Sequence, residues 1–236
     1  SLVCVVEQGF GEGHEVKWGP LMWRSHRLKR VVVSTMSGES IALSADGSVV
    51  AIGASGNNDN GRNSGHVRLY QSVNGIHTQI GQDIEGQDNG ERSGYSVALS
   101  ADGSVVAIAA PRNNDNGNQS GQVRIYRHKN NNWTQIGDDI DGEAPNDRSG
   151  TSVALSADGS VIAIGAPWND GNGDESGHVR LYRYQNENWR QIGQDIDGEA
   201  PNDRSGASIA LSAGGNVVAI GATSNDNNAI DAGQVR

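Results

Sequence analysis

The chain has 236 residues, a net charge of −10, 33 glycines and one cysteine, Cys4. The charge is uneven: residues 1–36 carry +2 and the remainder −12, so no basic stripe is available to neutralise phosphates, which argues against nucleic acid and anionic membranes as partners. One cysteine excludes an intramolecular disulfide, and no apolar run approaches the roughly 18 residues of a membrane-spanning helix.

Residues 1–36 follow no period and lack the basic start, apolar centre and small-residue cleavage site of a signal peptide. They read as a non-repeat N-terminal segment or as sequence from outside the native frame. At Ser37 the pattern changes. ALSADG begins at Ala42, Ala98 and Ala154 and returns as ALSAGG at Ala210, each start 56 residues from the last. Val67-Arg68, Val123-Arg124, Val179-Arg180 and Val235-Arg236 keep the same step. The units are 37–92, 93–148, 149–204 and a partial 205–236, and the stop in mid-unit at Arg236 reads as a fragment. A fixed period of this length signals a solenoid, a propeller or an array.

Within the second unit, Ser96–Ser100 alternates and Ala101-Asp102-Gly103 turns the chain. Ser104–Ala110 (SVVAIAA) is apolar on both faces, as in a strand covered on both sides. Asp-Gly between two apolar runs predicts a hairpin, because the turn needs residues that accept positive φ. A Gly/Asn/Asp loop, 111–121, leads to a third strand, Gln122–Arg127, and a short turn to a fourth, Trp133–Ile140; the loop 141–150 returns to the next unit. Four strands per unit without helical periodicity predict an all-β chain. Its architecture is a β-propeller of four-stranded antiparallel blades, about four of them present as an incomplete ring. Val105, Ile108, Ile125 and Ile136 superpose on apolar residues in the other units, and Ala51, Ala107, Ala163 and Ala219 suit tight packing near a central axis. In an up-and-down blade the second-to-third loops and the blade-to-blade loops share one side. Nearly all the Asp and Asn surplus lies there, so that side is the expected binding face.

SG-x-SVALSADGSVVAIGAP followed by SGHVRLY resembles the FG-GAP repeat of integrin α-subunit propellers over residues 37–236. Ser93-Gly94, Ser149-Gly150 and Ser205-Gly206 stand at the FG step, Ala110-Pro111 and Ala166-Pro167 at the AP step. The resemblance implies a propeller, an adhesion-type role and an extracellular or cell-surface location. Two departures matter. Serine replaces every phenylalanine of the FG step, and the family's calcium loop is cut to Ala-Asp-Gly, leaving only Asp46, Asp102 and Asp158. One carboxylate cannot supply the roughly six to eight oxygens that calcium takes, so that site is not carried over.

Asp170, Asn172 and Asp174 stand at alternate positions, as in a calcium loop, but Glu175 and Leu181 occupy the places of its glycine and its bidentate glutamate. They are the candidate metal residues, with calcium the candidate ion; the competing reading is a solvated Asx-turn loop. Asp59, Asp115, Asp147, Asp170, Asn172, Asp174 and Asp203 are the candidate contact residues of the loop face. Asp147-Arg148-Ser149 and Asp203-Arg204-Ser205 are expected to tie each loop to the next blade by a local ion pair. His66 and His178 align with Gln122 and Gln234, an exchange that suits a hydrogen-bonding residue at a loop edge better than a ligand. No nucleophile elbow, phosphate loop or Cys/His metal spacing occurs, and no catalytic residue is assigned.

The expected function is a non-enzymatic interaction or adhesion module that binds protein or glycan through its acidic loop face. The alternatives are a calcium-stabilised structural propeller, or part of a propeller enzyme whose catalytic blade lies elsewhere. An open array also leaves two exposed edges, from which self-association is expected unless residues 1–36 or further blades close them.

Overall fold

Each hairpin is set by a serine–aspartate–serine staple. Ser100 Oγ donates to Asp102 Oδ1 at 2.7 Å, Ser104 N donates to the same oxygen at 2.9 Å, and Val105 N donates to Ser100 Oγ at 2.9 Å. The same bonds recur around Asp46 and Asp158. In the last repeat, where Gly214 replaces the aspartate, Asn216 Oδ1 accepts from Ser212 Oγ at 3.0 Å. These carboxylates close turns. In the computed structural model, which describes residues 36–226 and 232–236, the hairpins build four antiparallel sheets. The non-repeat segment falls outside the described residues apart from Met36.

The first blade holds β1 (Ser37–Leu43), β2 (Val49–Ala54), β3 (His66–Val73), β4 (Ile76–Gln79) and β5 (Ile84–Glu85). The second holds β6 (Ser96–Leu99), β7 (Val105–Ala110), β8 (Gln122–Lys129), β9 (Asn132–Gln135) and β10 (Ile140–Asp141). The third holds β11 (Ser152–Leu155), β12 (Val161–Ala166), β13 (His178–Gln185), β14 (Asn188–Gln191) and β15 (Ile196–Asp197). The fourth contributes β16 (Ser205–Leu211), β17 (Val218–Ala222) and β18 (Gln234–Val235). In the first three blades the first four strands pair in sequence order and the short fifth pairs back with the third, while β6, β11 and β16 each pack on the sheet of the preceding blade. The chain folds as a β-propeller of four blades.

Two local expectations are corrected. The fourth strand is not continuous from Trp133 to Ile140. It breaks at Gly137 (φ 73°), so β9 pairs with the end of β8 and β10 with its beginning. The tryptophan of the next blade explains the break: Trp189 Nε1 donates to Ile136 O at 2.9 Å, and a Cβ on Gly137 would lie 2.7 Å from Trp189 Cδ1. Trp133 does the same to Ile80 and Gly81. The second correction concerns the axis. The first strands, β1, β6, β11 and β16, stack on one another and are innermost, whereas Ala51, Ala107 and Ala163 lie in the second strands, fully buried between sheets. Their turns are linked from blade to blade by backbone bonds: Ala45 N to Ala101 O at 2.8 Å, Ala101 N to Ala157 O at 2.8 Å and Ala157 N to Ala213 O at 2.9 Å.

The core lies between blades rather than within them. Val49, Leu69, Val106, Ile108 and Trp133 fill the first interface; Val105, Ile125, Ile162, Ile164 and Trp189 fill the second; Ala163, Val179 and Ile220 fill the third. Each large side chain so buried contributes about 1.5–3 kcal/mol, available only once a neighbour covers it.

Candidate functional site

The long loops sit together because asparagines pin them. Asn57, Asn113 and Asn169, buried at the base of each second-to-third loop, accept the backbone N–H two residues on (Asp59, Asp115, Gly171) at 2.7–2.8 Å. Three residues further, Asn60, Asn116 and Asn172 donate to the carbonyls of Gly86, Gly142 and Gly198 in the loop leaving the same blade, at 2.6, 2.7 and 2.8 Å. Gly65, Gly121 and Gly177 then bridge Ser93, Ser149 and Ser205. Both loop families therefore form one face, held by bonds that repeat at the 56-residue step.

The candidate residues divide by burial. Asp59, Asp115, Asp170, Asn172 and Asp174 are exposed, whereas Asp147 and Asp203 are each only 3% exposed. Asp147 Oδ2 accepts from Asn169 Nδ2 of the next blade at 3.0 Å, and Asp203 Oδ2 from Asn225 Nδ2 at 2.9 Å. Glu91 has the same role in the first loop, accepting from Asn113 at 3.2 Å and from the fully buried Arg124 at 2.9 Å. Of the three candidate metal residues, Asp170 Oδ1 accepts from Glu175 N at 2.8 Å and the Asn172 amide donates to Gly198 O. Asp174 reaches the neighbouring loop through its backbone carbonyl, which accepts from Asn202 N at 2.7 Å.

The expected local ion pairs are corrected: Asp147 and Asp203 bond the next blade's asparagines, and their neighbouring arginines turn to other partners. Arg148 lies over the Trp168 ring, its Cζ 4.5 Å from the centroid, and Arg204 pairs with Glu175 at 2.6 Å. The third-strand arginines reach back to the preceding blade: Arg180 to Asp141 O at 2.9 Å and to Glu143 at 3.2 Å, Arg236 to Asp197 O at 2.8 Å and to Glu199 at 3.4 Å. Arg68, in the first blade, pairs instead with Asp83 of its own blade at 2.6 Å.

Sequence reasoning missed the histidine clusters. His66, at the start of β3, is 3% exposed, and its Nδ1 lies 3.9 Å from Asp59 Oδ2 and 3.9 Å from Glu85 Oε1 without a hydrogen bond. His178, at the start of β13, groups with Asp195 (3.8 Å) and Glu143. Burial lowers the pKa of both imidazoles, with the neighbouring arginine acting in the same direction. Burial also raises the pKa of Glu85 and Glu143. Gln122 holds the equivalent place in the second blade and donates to Asp115 and Asp141 at 2.8 and 3.0 Å. The signal was the recurrence of acids around a His/Gln position; the distances between them belong to the tertiary fold. Between the second and third blades a crevice lined by Asp138, Asp139, Asp141, Tyr182 and Trp189 encloses about 250 Å³.

Residues 140–182, from β10 through most of β13, match the FG-GAP repeat family. The chain carries an FG-GAP repeat. No curated protein sequence is detectably similar to it. Among solved structures, a protein of Bacteroides uniformis provisionally named a 6-phosphogluconolactonase is 12% identical, with a TM-score of 0.51 over 83% of this chain and 52% of that one. Kuenenia stuttgartiensis hydrazine synthase is 11% identical, with a TM-score of 0.49 over 83% of this chain and 45% of that one. Saccharomyces cerevisiae Sqt1 is 15% identical, with a TM-score of 0.48 over 80% and 43%. The chain spans about half the length of these structures or less, and at 12% identity the likeness to the first is one of fold alone. Among the described residues no helix is long and apolar enough to cross a membrane.

Proposed function

We propose that this FG-GAP propeller is a non-enzymatic interaction module of the adhesion type, located outside the cell or on its surface. Its long-loop face binds protein or glycan. The observation that carries the reading is the loop face itself: exposed Asp59, Asp115, Asp170 and Asp174 are mounted on backbone fixed by the repeated asparagine bonds. A fixed face loses little conformational entropy on binding, and its carboxylates favour a partner with basic or hydrogen-bond-donating groups. FG-GAP repeats are typical of extracellular proteins, which supports the location.

The test uses two panels, basic extracellular-matrix proteins and immobilised glycans. The triple variant Asp115→Lys, Asp170→Lys, Asp174→Lys is compared with Glu187→Lys, which lies in the turn on the opposite side of the blade. Binding by the unmodified chain, lost in the triple variant and kept in Glu187→Lys, is the expected result. Absence of binding to both panels, or equal binding by the triple variant, refutes the reading.

A further inference from the structure

The Asp59, His66 and Glu85 side chains come from three separate elements of the first blade: the second-to-third loop, the start of β3, and β5. Their ligand-capable atoms all lie within 4.8 Å of one another. His66 is buried, yet its Nδ1 has no hydrogen-bond partner, and Glu85 Oε2 is a second buried polar atom without one. A buried polar atom left unpaired is costly, and two carboxylates facing one another add repulsion. The other blades resolve the same position in other ways. In the second, the Gln122 amide donates to both facing carboxylates. In the third, Gly171 stands where the first has Asp59, and His178 meets Asp195 and Glu143 from other repeat positions, with the guanidinium of Arg180, 3.2 Å from Glu143, supplying the positive charge. In the first, Arg68 is committed to Asp83 through two bonds of 2.8 and 2.6 Å, and Asp59 receives only the neutral Asn57 amide at 3.1 Å.

We propose that Asp59, His66 and Glu85 form a site for a divalent transition-metal ion of the zinc class, bound through His66 Nδ1 and one oxygen of each carboxylate. A tetrahedral zinc ion at its usual bond lengths needs ligands about 3.4 Å apart. The 3.9 Å separations from His66 Nδ1 close to that value by a movement of about half an ångström. Asp59, whose side chain is 60% exposed, is free to make it, and Glu85 at 32% is partly so. The mixed nitrogen and oxygen set selects zinc, cobalt or nickel over calcium and magnesium, which take oxygen ligands. Three protein ligands leave one position open on the solvent side, where Asp59 stands. The ion clamps the second-to-third loop to the exit strand, the task that Gln122 performs by hydrogen bonds one blade on. The site shares Asp59 with the proposed loop face, but zinc binding is read independently of any partner and stands or falls without the interaction reading.

Zinc binding to the full chain, measured by calorimetry after chelator treatment, tests the proposal. His66→Gln is the informative variant, because glutamine is the residue the fold already accepts at position 122. It is expected to lose one zinc equivalent per chain and the zinc-dependent rise in Tm, while melting in chelator no lower than the parent. Asp59→Asn, at an exposed loop position, weakens the same equivalent by on the order of tenfold or more and covers the case of a misfolded His66→Gln. His178→Gln keeps the equivalent, since Arg180 already balances that cluster. Unchanged zinc stoichiometry and affinity in both His66→Gln and Asp59→Asn overturn the proposal.

Discussion

Asp46 and Asp158 show how one side chain sets a turn and its acid sensitivity together. Hydrogen bonds from Ser44 and Ser48 lower the Asp46 carboxyl from 3.8 to about 2, and those from Ser156 and Ser160 lower Asp158 in the same direction. A folded-state pKa below the unfolded value means that the native state binds fewer protons. The contribution is complete above the unfolded pKa and disappears as pH falls through the folded one. Asp158→Ala is therefore expected to lower stability by about 1 kcal/mol at pH 7. Its Tm should converge on that of the parent as pH falls through and below the ordinary carboxylate range, because the folded-state pKa of Asp158 is lowered. A Tm difference that stays constant across that window shows that the carboxylate charge does not hold the turn.

At the scale of the element, the joint between loop and third strand decides where the loop face sits. Gly121 has φ 84°, and a Cβ there would lie 2.2 Å from Ser149 O; Gly65 and Gly177 are crowded in the same way by Ser93 O and Ser205 O. Positive φ favours glycine, and the crowding atom is backbone, which cannot turn aside. Gly121→Ala is expected to cost about 3 kcal/mol in denaturant unfolding, from backbone strain added to overpacking. Gly75→Ala is a control for strain without crowding, since nothing lies within 4 Å of its would-be Cβ at φ 74°. Equal losses at the two positions would show that the joint adds nothing beyond its φ. The same joint sets His66, Gln122 and His178 at the starts of β3, β8 and β13, where a single position carries a candidate metal ligand, a hydrogen-bond bridge or a charge-balanced cluster according to its neighbours.

For the whole molecule, blade-on-blade packing is the source of stability, and its ends are unfinished among the described residues. Ile41 and Leu43 on the first blade, and Val217 and Val235 on the fourth, are exposed large apolar side chains. Their counterparts in the middle, Val97 and Val105, are buried by neighbours. Two apolar faces on opposite ends of an array favour end-to-end association. Ile41→Lys combined with Val217→Lys is expected to shift the chain toward monomer in sedimentation velocity without lowering its Tm. Unchanged association would place the contact on another surface.

The 56-residue period, the Asp-Gly turns and the doubly apolar second strands determine a four-stranded blade from the sequence alone, because hydrogen-bonded hairpins and burial on two faces are local demands repeated in every unit. The same reading located the long loops on one side, since strand alternation leaves no other choice. It did not show that Asp147 and Asp203 turn inward to the next blade's asparagines, although Asn57, Asn113, Asn169 and Asn225 recur at the repeat step. Nor did it show that Trp189 interrupts the preceding fourth strand, or that His66 meets Asp59 and Glu85. Those relations depend on the angle and distance between neighbouring sheets and on side-chain direction across a gap. Distance in space between residues far apart in the chain is fixed by packing, which no local pattern encodes.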